Sequence, residues 1–460
     1  MYTIDFDHPV PVHFIGIGGI SMSGLAEILL GRQFPVTGSD LKASPLTDKL
    51  AALGAKIAIG HDAANIPEDC AAVVYTAAVH PDNPEYAEAV RRGIPLIARA
   101  VLLGQLMKNY PSAIAVAGTH GKTTTTSMIA EVLMAGEADP TILVGGVLSS
   151  IGGTTRVGTS PYFVAEACEY TNSFLSFFPN VAVILNVDAD HLDFFKDLDD
   201  IASSFHRFAS LVPEDGTLII HASCNKFEAV TEGLSCRIIT FGDTENADYR
   251  AEDVTFDENG CASFRCIERG GDIGRFTLRV PGIHNVSNAL AAIAAGRLAG
   301  VSPEKIAEGL SLFHGADRRF EMKGKIGSIS IIDDYAHHPA EIRATLTAAS
   351  RVAHHETWVA FQPHTYTRTK ALLPEFADAL SLADHVVLAD IYAAREKNTV
   401  GVSSGDLAEA LRKNGCDAVY LPDFSSIEDF LLTHAVDNDL IMTIGAGDIF
   451  RVGEHLLGKA

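Results

Sequence analysis

The chain reads as a three-domain α/β protein, and three observations predict it. Short apolar runs alternate with helical patterns near both ends, the texture of parallel sheets covered by helices. A glycine loop directly follows an apolar run twice, GIGG after Val12–Ile15 and GTHGK after Ala113–Ala117. A length of 460 residues exceeds what one core organises and suggests two to four domains. The expected division is 1–109, 110–315 and 316–460.

Composition narrows the class. Hydrophobic residues make up 47% and charged residues 20%, as in a well-cored globular chain. A formal charge of −23 argues against a general nucleic-acid binder. Seven scattered cysteines without a CxxC pair predict reduced thiols and no structural zinc. No apolar run has the length of a membrane span, and the start MYTIDFDHPVPVHF lacks the basic and apolar parts of a signal peptide. The expectation is a cytoplasmic protein that does not insert into membranes.

The first unit opens with strand Val12–Ile15, glycine loop Gly16–Gly19, helix Ser23–Leu30, strand Val36–Gly38 and then Asp40. This is a Rossmann-like start. Glycines let backbone approach a pyrophosphate, and an acidic residue after the second strand can meet a ribose. Ser21 stands where a third glycine would complete G-x-G-x-x-G. The stretch leaves two readings open, an NAD site or a nucleotide-sugar site. Strand Ala72–Tyr75, helix Pro84–Arg92, strand Pro95–Ile97 and helix Ala100–Met107 follow, and Lys108–Ser112 links to the next unit.

The second unit carries AVAGTHGKTTTTSM. A buried strand, Ala113–Ala117, runs into Gly118, Thr119, His120, Gly121, Lys122, Thr123 and Thr124. A helix then has Met128, Ile129, Val132 and Leu133 on one face. Amides converging on a helix N-terminus cradle an anion. In that reading Lys122 reaches the β/γ-phosphates and the Thr123 hydroxyl ligates Mg²⁺. An ordinary turn containing GK is the bland alternative, but the strand before and the helix after are the context the motif requires. Val116 replaces the first glycine of the general pattern, giving the shorter GTHGKT form. Strand Tyr162–Ala165 delivers Glu166, a carboxylate suited to Mg²⁺. Strand Val181–Asn186 delivers Asp188, Asp190, His191 and Asp193. Short strands follow at Thr217–Ile220, Arg237–Phe241, Ala262–Ile267 and Arg275–Val280, predicting a mixed sheet. His284, Asn285 and Asn288 then lead an alanine-rich helix. The asparagines either read an adenine edge or cap the helix.

The third unit begins after GADRRFEMKG, a basic segment read as a turn-like hinge. Strands Ser328–Ile332, Trp358–Phe361, His385–Ala389 and Leu440–Ile444 each end in a polar or glycine loop, predicting a second Rossmann-like sheet with its functional edge there. Adjacent His337 and His338 point different ways and make a poor chelate. His354 and His355 read as a solvated loop.

Taken together, GIGGISMSGLAEIL, GTHGKTTT, NVDADHLD, GIHNVSNALAA, DRRFE, DDYAHHP and FQPHTYTRT resemble the Mur ligases of bacterial cell-wall synthesis. The resemblance covers essentially the whole chain. It implies amide formation between L-alanine and the lactyl carboxylate of UDP-N-acetylmuramate, driven by ATP with Mg²⁺ through an acyl phosphate. It implies catalytic roles for Lys122, Glu166, His191, Arg319 and His337, and metal binding by Thr123, Glu166 and His191. Residues 118–124, with His284, Asn285, Asn288 and Asp334, are implied for ATP. Gly18, Gly19, Asp40, His61, Thr76, Tyr335, His364 and Arg368 are implied for the other substrates. Domain closure is implied to assemble the site. The chain departs from the family's E-A-D-E by having Cys168 in Glu166–Glu169, and the helix after DHLD has no lysine.

Three competitors remain at this stage. A recycling ligase would add a tripeptide to the same sugar nucleotide. An NAD-dependent oxidoreductase would use the first glycine loop but leaves GTHGKTTT unexplained. A nucleotide-gated switch would make no amide.

Overall fold

The computed structural model describes residues 2–76, 78–191, 194–394 and 396–459. The chain packs as two compact units. One comprises Met1–Val187, Ile201–Phe241 and Ala291–Ile306; the other comprises Asp188–Asp200, Gly242–Leu290 and Ala307–Ala460.

The first unit contains two sheets. Strands β1 (Val12–Ile15), β2 (Val36–Asp40), β3 (Lys56–Ile59), β4 (Ala72–Tyr75) and β5 (Leu96–Ala98) form a parallel sheet in the order β3-β2-β1-β4-β5. All four residues of β1 are buried, because helices cover both faces of such a sheet. The order reverses between β1 and β4, where doubly wound sheets open a crevice for ligands. The expected ranges of β1, β4 and the helix Pro84–Arg92 match the structure. The first helix begins at Ile20, three residues before the expected start, because Gly19 ends the loop in extended backbone.

The second sheet of this unit holds β6 (Ser112–Ala117), β7 (Thr141–Leu148), β8 (Gly153–Arg156), β9 (Tyr162–Glu166), β10 (Val181–Ile184), β11 (Thr217–His221) and β12 (Arg237–Phe241). Their order is β12-β11-β10-β6-β9-β7-β8, parallel except for β8 against β7, so the sheet is mixed as expected. The helix Lys122–Ala135 buries the four expected apolar residues and also Thr125, Thr126 and Ser127. Strand β10 stops two residues before the expected Asn186, since that side chain turns to the phosphate loop.

Two glycines seat the first sheet's helices, one against this second sheet and one against the segment Tyr170–Ser176 that follows β9. A Cβ on Gly24, in the helix Ile20–Gly31, would collide with Leu143 of β7 and Thr155 of β8. A Cβ on Gly104, in the helix Arg99–Met107, would run into the Ser176 carbonyl oxygen. At Gly104 the obstacle is backbone and only hydrogen fits; at Gly24 it is the Leu143 and Thr155 side chains, which would have to shift.

The other unit has an antiparallel meander, β13 (Tyr249–Phe256), β14 (Cys261–Glu268) and β15 (Gly271–Pro281). It also has a six-stranded sheet of β16 (Glu321–Ile326), β17 (Ile329–Asp334), β18 (Thr357–Phe361), β19 (His385–Leu388), β20 (Asp417–Tyr420) and β21 (Leu440–Ile444). The order is β16-β17-β21-β18-β19-β20, all parallel except β16. Alternate residues feed two cores: Ile332, Phe361, Leu388 and Met442 on one face, Ile331, Trp358, Val387 and Ile441 on the other. The expected turn over residues 315–324 is corrected in its second half, since Glu321–Ile326 is an antiparallel edge strand while 315–320 stay outside helix and strand. Paired with β17, the segment satisfies backbone groups that a turn would leave to water. The expected solvated His354 is also corrected: its ring nitrogens meet the Val352 carbonyl and the Thr357 hydroxyl, each at 2.7 Å.

No helix among the described residues is long and apolar enough to cross a membrane.

Candidate active site

In the first unit the phosphate loop is held by its neighbour strand. Gly118 and Gly121 adopt φ of 150° and 83°, and Gly121 opens the helix Lys122–Ala135. The His120 N–H donates to Asn186 Oδ1 at 2.8 Å, and Asn186 Nδ2 donates back to the His120 carbonyl at 3.1 Å. The Thr119 N–H donates to the Asn186 carbonyl at 3.3 Å. One asparagine therefore fixes two consecutive loop residues. Thr123, in the first helical turn, is 8% exposed.

Lys122 folds back over this loop. Its Nζ donates to the carbonyls of Gly118 (2.5 Å) and Thr119 (3.0 Å) and pairs with Glu169 at 3.0 Å. Burial alone would depress the ammonium pKa. The charge and hydrogen bond of Glu169, with the charge of Glu166 beyond it, outweigh it, and the pKa is raised. Where the family has an additional acid, Cys168 supplies a thiol that burial keeps protonated, so Glu169 is the carboxylate that answers Lys122. Glu166 ends β9 and accepts the Gly145 N–H at 2.6 Å. A Cβ on Gly145 would lie 2.8 and 2.9 Å from its two oxygens. Thr123 and Glu166 offer hard oxygen donors, the kind Mg²⁺ takes.

At the first sheet, the Gly18 N–H donates to Asp40 Oδ2 at 2.9 Å, joining the glycine loop to the end of β2. Gly16 has φ of 79°, and Thr76 Cγ2 would be 3.2 Å from a Cβ there. Gly19 is exposed at the loop's rim. Thr76 Oγ1 accepts the Ala78 N–H. His61 Nδ1 lies 2.9 Å from Ser39 Oγ, which donates to Glu85 Oε2 at 2.5 Å. Glu85 is fully buried beside His13 (3.7 Å) and Asn65 (2.5 Å). Burial pushes its pKa up, but the His13, Ser39 and Asn65 groups outweigh this and hold it down to about 2.

In the other unit, the loops after β17 and β18 meet residues 188–191. Arg368 Nη2 donates to Asp190 Oδ1 at 3.1 Å, and Nη1 is 3.4 Å from His364 Nδ1. Asp190 also accepts the His191 N–H at 2.7 Å, and its other oxygen lies 3.8 Å from His191 Nε2. Burial opposes its ionisation, yet Arg368 and three histidines keep its pKa well below the usual carboxylate range. His337 and His364 stand with rings 5.8 Å apart, and burial pulls both down to about 4. His337 Nδ1 faces the Tyr335 carbonyl at 3.0 Å. His338 instead caps the helix Pro339–Ala349, with Glu341 completing a capping box, which accounts for it without a metal.

Arg319 lies over the Tyr335 ring, 5.1 Å from its centroid. Arg318 is the brace beside it, with φ of 61°, bonded to Asp333 and to the carbonyls of Gly445 and Gly447. Asp334 accepts the N–H groups of Phe320 and Ala336, each at 2.7 Å, and burial raises its pKa to about 6. His284 is exposed at the start of the helix His284–Leu298. Asn285 and Asn288 are buried and linked at 2.9 Å, and Asn285 donates to the Pro281 carbonyl, so neither side chain acts as an N-cap acceptor in these bonds. Asp193 lies outside the described residues.

Sequence reasoning passed over Asn186 as a clamp, Gly145 as the glycine that admits Glu166, and Glu85 altogether. GG inside TILVGGVL was the available signal for close approach in a strand.

A buried strand, a GTHGK turn and a helix opening on it define a phosphate-loop α/β enzyme, here with a doubly wound sheet in each unit. The chain belongs to the Mur ligase family, which implies ATP-dependent ligation. Family models match residues 11–111 (Mur ligase family, catalytic domain), 116–296 (Mur ligase middle domain) and 318–447 (Mur ligase, glutamate ligase domain). The chain is 56% identical to the UDP-N-acetylmuramate–L-alanine ligase of Lachnospira eligens, covering 99% of this chain and all of that one. It is 53% identical to the ligase of that name from Caldanaerobacter subterraneus, over 99% and 98% of the two chains. Among solved structures, it resembles the UDP-N-acetylmuramate–alanine ligase of Thermotoga maritima (TM-score 0.81, 30% identity, 98% and 99% covered). It resembles a murein peptide ligase of Psychrobacter arcticus less well (TM-score 0.72, 27% identity, 98% of each).

Proposed function

We propose that this chain joins L-alanine to the lactyl carboxylate of UDP-N-acetylmuramate, using ATP and Mg²⁺. The observation that carries the reading is the phosphate loop clamped by Asn186, with Lys122 poised over it and Glu166 held at the neighbouring strand end. A carboxylate is a poor electrophile at neutral pH, so it must be activated as an acyl phosphate before an amine can attack. The protein's part is to position reactants and neutralise developing charge.

Residues 1–109 are assigned to the sugar nucleotide, with Gly18 and Gly19 at the pyrophosphate and Asp40, His61 and Thr76 toward the uridine. Residues 110–315 are assigned to ATP. The amides of residues 118–124 receive the triphosphate, and Lys122 exchanges its loop carbonyls for phosphate oxygens. Thr123 and Glu166 would hold Mg²⁺, which when bound withdraws charge from the phosphates. His191 is assigned to a second metal position close to the acyl group, where it offers a nitrogen in place of the oxygen Mg²⁺ ordinarily takes. His284, Asn285 and Asn288 are assigned to the base and Asp334 to the ribose. In residues 316–460, Arg319 neutralises the transferring phosphate. Arg368 orients a carboxylate, while neutral His337 and His364, with Tyr335, line the amino-acid end.

The test is product formation with MgATP, UDP-N-acetylmuramate and single amines, reading ADP release and sugar-nucleotide mass. A gain of one alanine residue, abolished by Lys122→Ala, is expected. A gain with tripeptide alone would move the chain to the recycling reaction. ATP turnover without any amide would overturn the substrate assignment.

A further inference from the structure

Glu85 is the buried charge that the reaction does not explain. It sits in the first turn of the helix Pro84–Arg92, where an acidic side chain ordinarily faces water. Here it is fully buried, and its contacts come from three other segments. Oε1 accepts Asn65 Nδ2 at 2.5 Å and faces the Asp62 N–H at 3.4 Å, which braces the segment after β3. Oε2 faces Ser39, His61 and His13.

The Oε2 side fixes a proton position. An ionised carboxylate only accepts, so the single Ser39 hydroxyl hydrogen is committed to Glu85. Ser39 Oγ is left as an acceptor, 2.9 Å from His61 Nδ1. The other neighbour of that nitrogen, Glu85 Oε2 at 3.4 Å, is also an acceptor. The hydrogen bond to Ser39 requires a hydrogen on Nδ1, and the more distant Glu85 does not compete for it, which leaves Nε2 of the neutral ring bare. The backbone places this ring beside the β2 end, because the Gly60 N–H donates to the Asp40 carbonyl. In doubly wound folds an acid at the end of β2 takes the ribose, and His61 stands one strand further out, after β3.

We propose that Glu85, acting through Ser39, is a positioning residue that holds His61 in the Nδ1–H tautomer and thereby makes Nε2 an acceptor for the N3–H of uracil. This deepens the substrate reading above and rests on it. The chemistry is selective, since uracil carries a donor at N3 and cytosine carries a lone pair there. A bare nitrogen therefore accepts one base and repels the other.

The experiment has two parts. ¹⁵N-histidine spectra of the unaltered protein at pH 7.5, with His61 identified by loss of its signals in His61→Gln, are expected to show Nδ1 protonated and Nε2 bare. Titrations with UDP and CDP are expected to favour UDP by about tenfold or more in the parent. Ser39→Ala and Glu85→Gln are expected to shrink that ratio to about threefold or less, with kcat and the KM for ATP within about twofold. If Glu85→Gln does not fold, the spectra and Ser39→Ala still decide. Protonated Nε2, or an unchanged UDP/CDP ratio in a folded variant, overturns the relay while leaving the ligase reading intact. No UDP binding by the parent overturns both.

Discussion

Replacing Lys122 by Met should destabilise the first unit before any question of catalysis arises. The ammonium lies 3.0 Å from Glu169, whose side chain is 3% exposed, and Lys122 is itself 18% exposed. At an effective dielectric near 20, the attraction at that distance is about 5 kcal/mol. Much of it offsets the desolvation of both ions, and breaking a buried pair from one side costs about 3–5 kcal/mol. The residual exposure of Lys122 puts the expectation near about 3 kcal/mol. Glu169→Gln alone should cost less, because Lys122 keeps two carbonyl acceptors. The double variant should recover part of the loss, giving a coupling of about 2 kcal/mol. Pulse proteolysis across a urea series measures each stability. The pH dependence has a defined sign. Because the folded pKa of Lys122 is raised above 10.5, the pair contributes fully below pH 10.5 and fades only as pH climbs toward the folded value. A coupling below about 0.5 kcal/mol would refute the reasoning, and so would a Lys122→Met protein as stable as its parent.

Three further outcomes follow from the geometry. Gly145→Ala places a methyl group within 2.9 Å of both Glu166 oxygens, so half-saturating Mg²⁺ should rise about tenfold or more with folding retained; an unchanged Mg²⁺ curve in the ligation assay would count against Glu166 as a metal ligand. Asn186→Ala removes the two side-chain bonds to His120 and leaves the backbone bond to Thr119; a rise in the KM for ATP of about tenfold is expected, against little change for L-alanine. His337 and His364 have folded pKa values near 4, below the unfolded 6.5, so the unfolded chain binds more protons between these values. Acidification from pH 6.5 to 4 should therefore weaken the second unit, and the two imidazole C2–H resonances should not titrate at pH 5.5.

How much of this was legible before the structure depended on the range of the interaction. The phosphate loop was readable because strand, turn and helix are contiguous, and burial of Met128, Ile129, Val132 and Leu133 follows from helical spacing alone. The ends of β1, β4, β12 and β21 coincide with their expected ranges, since each apolar run stops where a polar or glycine residue begins. Edge elements were lost. GADRRFEMKG, whose last four residues begin β16, reads as a turn because lysine and glycine sit where a two-sided strand would carry apolar residues, but an antiparallel edge needs only one packed side. Glu85 looked like an ordinary helix-start acid, and only tertiary packing brings His13, Ser39 and His61 around it. Likewise Arg318 and Arg319 are adjacent, chemically alike and both over the Tyr335 ring, yet the left-handed backbone at Arg318 lets that one also brace Asp333 and the carbonyls of Gly445 and Gly447.

The two glycine seats on the helices of the first sheet carry a consequence for molecular length. Close packing at Gly24, against the Leu143 and Thr155 side chains, and at Gly104, against the Ser176 backbone, braces the helices of the sheet that carries the loop after β1 against the elements around the loop after β6. These loops are the fixed jaws of a caliper. Any ligand that reaches from one jaw to the other must have a span that matches the gap. Lengthening the linker would leave that gap unchanged, whereas a single methyl group at Gly104, driven against the Ser176 carbonyl, would reset the gauge.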